Sequence, residues 1–157
     1  MTYKIILLLM VVSGIALFTA ACISTAPDNL GVKNGKFSPC PDSPKCVSSQ
    51  AKDPSHRIDA IKASGSAQEV MQHLTEVIKQ IEGSKIIKTE GPYLYAEFRS
   101  KIFRYVDDFE CFYDEPNGLI EVKSSARLGY YDFSVNRDRV EKIRELFKEK
   151  SDRTLIQ

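Results

Sequence analysis

Much of the familiar chemistry is missing from these 157 residues. There is no G-x-S-x-G, no H-E-x-x-H, no C-x-x-C, no phosphate-cradling glycine loop and no dinucleotide fingerprint. The common routes to acyl transfer, zinc hydrolysis, thiol redox and nucleotide chemistry therefore leave no local trace. Histidine, the usual proton carrier near neutral pH, occurs only at His56 and His73. Neither sign of charge dominates: 22 Lys and Arg stand against 21 Asp and Glu, and a formal net charge of +1 does not draw nucleic acid. Internal repeats are absent, and no cofactor or nucleic-acid partner is expected.

What is present begins with an address. The opening MTYKIILLLMVVSGIALFTAAC carries one lysine, Lys4, then an uncharged apolar run from Ile5 to Phe18, then small residues up to Cys22. A basic start, an apolar middle too short to span comfortably and a small-residue exit read as a secretory signal over residues 1–21. Phe18, Thr19, Ala20 and Ala21 before Cys22 resemble the lipobox of bacterial lipoproteins, although Thr19 stands where leucine is usual. The resemblance implies lipidation of Cys22 and a membrane partner reached through that lipid. Simple cleavage near Ala21 and an uncleaved anchor are the alternatives, and each of them still exports the folded part. Ile23 is not the aspartate that resembles an inner-membrane retention signal, so a host with two membranes is expected to hold the protein on the outer membrane, facing the periplasm.

Removing residues 1–21 from the 157 leaves 136, enough for one domain with a core but not two. That removal also deletes Lys4 alone among charged residues, so the net charge falls from +1 to 0. Residues 22–37 are rich in Ser, Pro, Asn and Gly without apolar periodicity and read as a lipidated tether. The domain is expected over 38–150, with a short tail at 151–157. A weak strand is expected at Arg57 to Ala63. Ser66 with Glu69 makes a capping box, and Val70, Leu74, Val77, Ile78 and Ile81 then recur at helical spacing until Gly83.

Four β-like runs follow: Lys85 to Thr89, Tyr93 to Arg99, Phe103 to Tyr113 and Leu119 to Ala126, with turns at Gly91-Pro92 and Asp114 to Gly118. The last helix is expected to start with Asn136 as its cap and to carry Val140, Ile143, Leu146 and Phe147 on one face. Strand, helix, four strands and helix predict an α+β fold: a mostly antiparallel sheet of four to five strands with two helices packed on one face.

Three prolines, Pro39, Pro41 and Pro44, interleave with Cys40 and Cys46 in SPCPDSPKCVSSQ. An exported chain meets an oxidising compartment, and two cysteines this close in a stiffened loop favour a disulfide. A metal site from Cys40, Cys46 and His56 lacks a fourth ligand and ranks below it, so no metal is expected. Cys111, within FECFY, reads as a small apolar core residue, with a bridge to Cys40 or Cys46 left open. His73 falls on the exposed side of the first helix.

The denser constellation lies in YVDDFE and SSARLGYYDFSVNRDRV. Asp107 and Asp108 are adjacent, so on a strand they point to opposite faces and cannot share a proton as a dyad. Asp107 would join Phe103, Tyr105, Phe109 and Cys111 in apolar company that demands a partner, for which Arg104, Arg127, Arg137 and Arg139 are the candidates. Arg137 and Arg139 sit in the first helical turn, where the backbone dipole disfavours cations. Internal pairing with Asp107, Asp108 or Asp132 explains them, and so does a ligand phosphate or carboxylate helped by Ser124, Ser125 and Arg127. The ligand-binding candidates are Asp107, Asp108, Ser124, Arg127, Asn136, Arg137 and Arg139.

PCPDSPKCVSS, FRSKIFRYVDDFE and VKSSARLGYYDFSVNRDRVEKIRELF resemble, in that order, the domain of unknown function 1499 family, from about Phe37 to Phe147. The matching positions are Cys40, Pro41, Pro44, Cys46, Ser48, Ser49, Arg99, Ser100, Asp107, Asp108, Ser124, Arg127, Gly129, Asp132, Asn136, Arg137 and Arg139. Lys123 stands where an arginine is common, and Cys111 where an apolar residue is usual. The resemblance implies an exported or membrane-associated protein and transfers no activity. The expected role is a cell-envelope lipoprotein that binds a partner protein or an anionic small ligand without catalysis. The alternative is a hydrolase or transferase of envelope material using Asp107 or Asp108 with His56 or a serine.

Overall fold

The computed structural model describes residues 25–154. Residues 1–24, which include the expected signal segment and Cys22, and residues 155–157 lie outside the described residues. In chain order the elements are β1 (Val32–Lys33), β2 (Lys36–Phe37), β3 (Cys46–Ser48), β4 (Ile61–Lys62), α1 (Ala67–Lys79), β5 (Ser84–Glu90), β6 (Tyr93–Arg99), β7 (Val106–Asp114), a 3-10 turn (Glu115–Asn117), β8 (Leu119–Ala126) and α2 (Val135–Thr154). The main sheet runs β3-β8-β7-β6-β5, and β4 also pairs with β8, so β3 and β4 share one flank. All of these strand pairings are antiparallel. Both helices cover the same face, which makes the fold α+β.

The capping box starts α1. Ser66 accepts from the Glu69 N–H at 3.4 Å, while Glu69 Oε2 accepts from the Ser66 N–H at 3.0 Å. Val70, Met71, Leu74, Val77 and Ile78 then fall on one stripe and are buried. Gly83, at φ 81°, turns the chain into β5. A Cβ there would lie 2.4 Å from the Arg99 carbonyl oxygen, so only glycine fits. From the sheet, Leu94, Ala96, Phe109, Cys111, Val122 and Ile120 meet this stripe, and Val140, Ile143 and Phe147 of α2 complete the core. Phe98 meets Phe109 edge-on, with centroids 6.0 Å apart.

Four local expectations change. The stretch from Arg57 to Ala63 is extended only at Ile61–Lys62, because Ile58 and Ile61 both turn into the core and break strict alternation. Strand β7 begins at Val106, not Phe103. Ile102, Phe103 and Tyr105 have β-forming side chains but no neighbouring strand to cover them. Asn136 does not cap α2: the Asp132 carboxylate accepts from the Ser134 and Asn136 N–H groups, both at 3.1 Å, and Asn136 is fully buried inside the first turn. Residues 32–37, expected as part of a tether, form the β1–β2 hairpin and bury Phe37.

Candidate functional site

Strand alternation separates the two aspartates as expected. Asp107 pairs in register with Phe98 and Ala126 on the helix-covered face, and Asp108 with Glu97 and Ser125 on the opposite face. Each has its own arginine. On the helix face, Arg139 Nη2 meets Asp107 Oδ2 at 2.6 Å, and Arg139 Nη1 donates to Ser124 Oγ (2.9 Å) and Asn136 Oδ1 (2.5 Å). Ser124 donates in turn to Asn136 Oδ1 at 2.6 Å, and Arg139 Cζ lies 4.6 Å from the Phe98 ring centroid. Asn136 Nδ2 holds the Lys45 carbonyl and Asp132, tying α2 to the chain entering β3. Burial pushes the Asp107 carboxyl above the usual carboxylate range, and Arg139 pulls it the other way.

On the opposite face, Arg127 spans two carboxylates and a phenol. Its Nε donates to Asp108 Oδ2 at 3.0 Å, and its Nη2 reaches Asp108 Oδ1 (2.7 Å), Glu97 Oε1 (2.5 Å) and Tyr95 Oη (2.9 Å). The Tyr95 hydroxyl donates to Asp108 at 2.7 Å. Burial, then the Asp108 carboxylate, drives the Tyr95 phenol far above its ordinary value. A second group follows two residues along the strands. Tyr93 donates to Glu110 Oε1 at 2.9 Å, and Lys123 Nζ lies 3.6 Å from Glu110 Oε2. The Tyr93 phenol is likewise raised by burial and by Glu110.

The covering of this face comes from the start of the domain. The Gly31 N–H donates to Glu110 at 2.6 Å, and Lys123 Nζ donates to Ser38 Oγ at 2.7 Å. Cys40 and Cys46 form the expected disulfide, with Cα atoms 5.6 Å apart, whereas Cys111 is free and fully buried. Between this covering and the sheet lies a cavity of about 510 Å³, lined by Pro27, Leu30, Cys40, Lys45, Asp108, Glu110, Lys123, Ser125 and Arg127.

The expected ligand-binding residues are therefore not one cluster. Asp107, Ser124, Asn136 and Arg139 form one hydrogen-bonded network on the helix-covered face, and Asp107 and Arg139 also line an open cleft with Arg99, Arg104, Asp138 and Lys142. Asp108 and Arg127 line the cavity on the other face. Arg137 belongs to neither and clamps the chain by donating to the Arg57 and Ser55 carbonyls. His56 Nδ1 sits 2.8 Å from the Cys46 carbonyl oxygen, and Nε2 faces Asp53 at 3.9 Å, so its neighbours are groups other than Asp107 and Asp108. Tyr93, Tyr95, Glu97, Glu110 and Lys123 were not among the expected site residues. Their one signal is polar residues recurring at alternate positions of neighbouring strands, which ordinarily marks a solvated face.

Residues 36–147 match the model of the family described as "Protein of unknown function (DUF1499)", and the chain belongs to that family. No curated protein and no solved structure matches it.

Proposed function

We propose that the protein is an exported lipoprotein of the bacterial cell envelope whose domain binds an anionic small ligand in the cavity between the disulfide loop and the sheet, without catalysing a reaction. The apolar run from Ile5 to Phe18 and Cys22 after Ala20 and Ala21 support export and lipid anchoring. One observation carries the ligand reading: a cavity of about 510 Å³ lined by Lys45, Lys123 and Arg127 against Asp108 and Glu110. Arg127 is taken up by Asp108 and Glu97 and Lys123 by Glu110, whereas the Lys45 ammonium donates to the Arg127 carbonyl at 3.3 Å and is the cation left to meet an anion. The ligand sits outside the Asp107–Arg139 pair, whose groups already satisfy one another.

Thermal unfolding of the full chain with and without millimolar inorganic phosphate, or acetate as a carboxylate probe, tests the reading. An anion is expected to raise the unfolding temperature. Lys45→Ala, which removes a lining cation, and Ser125→Tyr, which fills the space, are each expected to reduce that rise. An anion response unchanged in both variants, or no response in the parent chain, would overturn it.

A further inference from the structure

The exposed apolar side chains of this domain are not scattered. Among the described residues, every large hydrophobic that is exposed lies in one of two connecting segments, with Ile87 the single exception. The loop between β6 and β7 presents Ile102, Phe103 and Tyr105, the last two stacked at 5.7 Å between centroids. The loop from β8 into the first residue of α2 presents Leu128, Tyr130, Tyr131, Phe133 and Val135, with the three rings in sequence contact at 6.3 and 6.1 Å. Phe133 is 85% exposed and has φ 54°, a backbone conformation that bulky residues rarely adopt.

Both loops leave the same end of the sheet. Arg99 pairs with Val106 across β6 and β7, Asp107 pairs with Ala126 across β7 and β8, and the Arg127 N–H donates to the Val106 carbonyl at 3.3 Å. The start of the described chain lies beside that end: Pro27, Asn29 and Leu30 line a cavity whose sheet side runs from Ala126 and Arg127 to Glu110 and Lys123. Cys22 precedes Pro27 by five residues, which places it within about 18 Å even when fully extended. Charge is one-sided on the first loop: from Arg99 to Val106 there are Arg99, Lys101 and Arg104 and no acid. Lys101 has an exposed partner in Glu82 at 3.2 Å. In the second loop, Asp132 is turned inward onto the start of α2.

We infer that this end of the sheet docks on a lipid surface, with the aromatic side chains of the two loops in the membrane interface and Lys101 and Arg104 among anionic headgroups. Aromatic rings with a polar edge and long cationic side chains are the residue types that settle at that boundary. A membrane-docked surface of this size would otherwise be an unusual apolar patch to leave in water. Beside a lipid anchor, a basic and aromatic contact adds a second attachment to the same membrane and fixes how the domain sits on it. The inference uses the anchoring reading to choose the occupant, but the contact itself is made by different residues.

The chain contains no tryptophan, so a single introduced one reports without background. Full-length Phe133→Trp and Phe103→Trp variants, with Ile87→Trp as control, would be reconstituted with phosphatidylglycerol and phosphatidylethanolamine vesicles whose acyl chains carry bromine. Flotation would be read alongside emission. The expected result is a blue shift and loss of emission at positions 133 and 103 and neither at 87. Adding Lys101→Glu and Arg104→Glu should restore most of the emission while flotation through the N-terminal segment persists. Flotation without quenching at 133 and 103 overturns the docking inference alone, and absence of flotation overturns the anchoring reading with it. A blue shift that grows with protein concentration in the absence of vesicles assigns the surface to a second copy and also overturns the inference.

Discussion

Asp107 and Asp108 are one peptide bond apart and live in two different chemistries. On the helix face, Asp107 lies in register between Phe98 and Ala126, and Arg139 is its one side-chain donor among the described residues. On the other face, Asp108 shares a network with Tyr95, Arg127 and Glu97 that borders a cavity. Asp107 leans on a single side-chain donor and is stranded when Arg139 goes, whereas Asp108 has two and keeps Tyr95 when Arg127 goes. The first arrangement suits a structural lock, and the second suits a binding surface.

The largest test of that contrast is Arg139→Ala. It leaves the partly buried Asp107 without its cation and removes donors from Ser124 and Asn136, so the expected loss is about 3 kcal/mol in denaturant unfolding. Arg127→Ala should cost less, about 2–3 kcal/mol, because Tyr95 still donates to Asp108, whereas Asp107 would keep no side-chain donor among the described residues. Equal losses for the two would break the comparison. Next in size, Cys40→Ser with Cys46→Ser opens a loop of sequence separation 6 and should cost about 2 kcal/mol by the chain-entropy account. If that variant also loses the anion response while Arg139→Gln keeps it, the functional face is the one beneath the disulfide.

Alkaline pH tests the phenols of the polar face, alongside Cys111 and Tyr113 in the core, whose values burial also raises. Tyr93 and Tyr95 have folded values raised by burial and neighbouring carboxylates, so the unfolded chain releases its phenolic protons first. The stability they contribute is complete below the unfolded value of about 10 and falls as the pH rises above it. Tyr93→Phe with Tyr95→Phe should flatten that decline in pH-dependent unfolding, and an unchanged slope would show that these phenols are not its source. The smallest effect is expected from Lys142→Ala on the outer side of α2. Its exposed pair with Glu145 is screened by water, and the unfolding midpoint should move no further than replicate scatter.

Period-two alternation by itself makes the opposite directions of Asp107 and Asp108 legible in the sequence, and the Ser66/Glu69 capping box does the same for the start of α1. The partner assignments are not legible there. Arg127 and Arg139 lie 19 and 32 positions from the carboxylates they hold, and only sheet register and the seat of α2 decide which arginine meets which aspartate. The polar face stays hidden for a related reason. Residues 25–41 have a linker's composition, yet hydrogen bonds from Gly31 to Glu110 and from Lys123 to Ser38 lay this segment over the strands. Local composition records how freely a segment moves in isolation, and says little about what an underlying charged surface will hold in place.

What the amino-acid order determined by itself is local: helix stripes, strand alternation, the capping box, the proline-stiffened cysteine pair and the apolar, charge-free segment before Cys22. These depend on neighbours within a turn or two, where covalent geometry and side-chain periodicity dominate. Tertiary structure alone decided that two adjacent carboxylates serve different networks, that a segment with a tether's composition roofs a cavity, and that two loops distant in sequence bring their exposed rings to one end of the sheet. Those outcomes rest on contacts between residues far apart in the chain, whose pairing is set by how strands register and where a helix settles rather than by any local pattern.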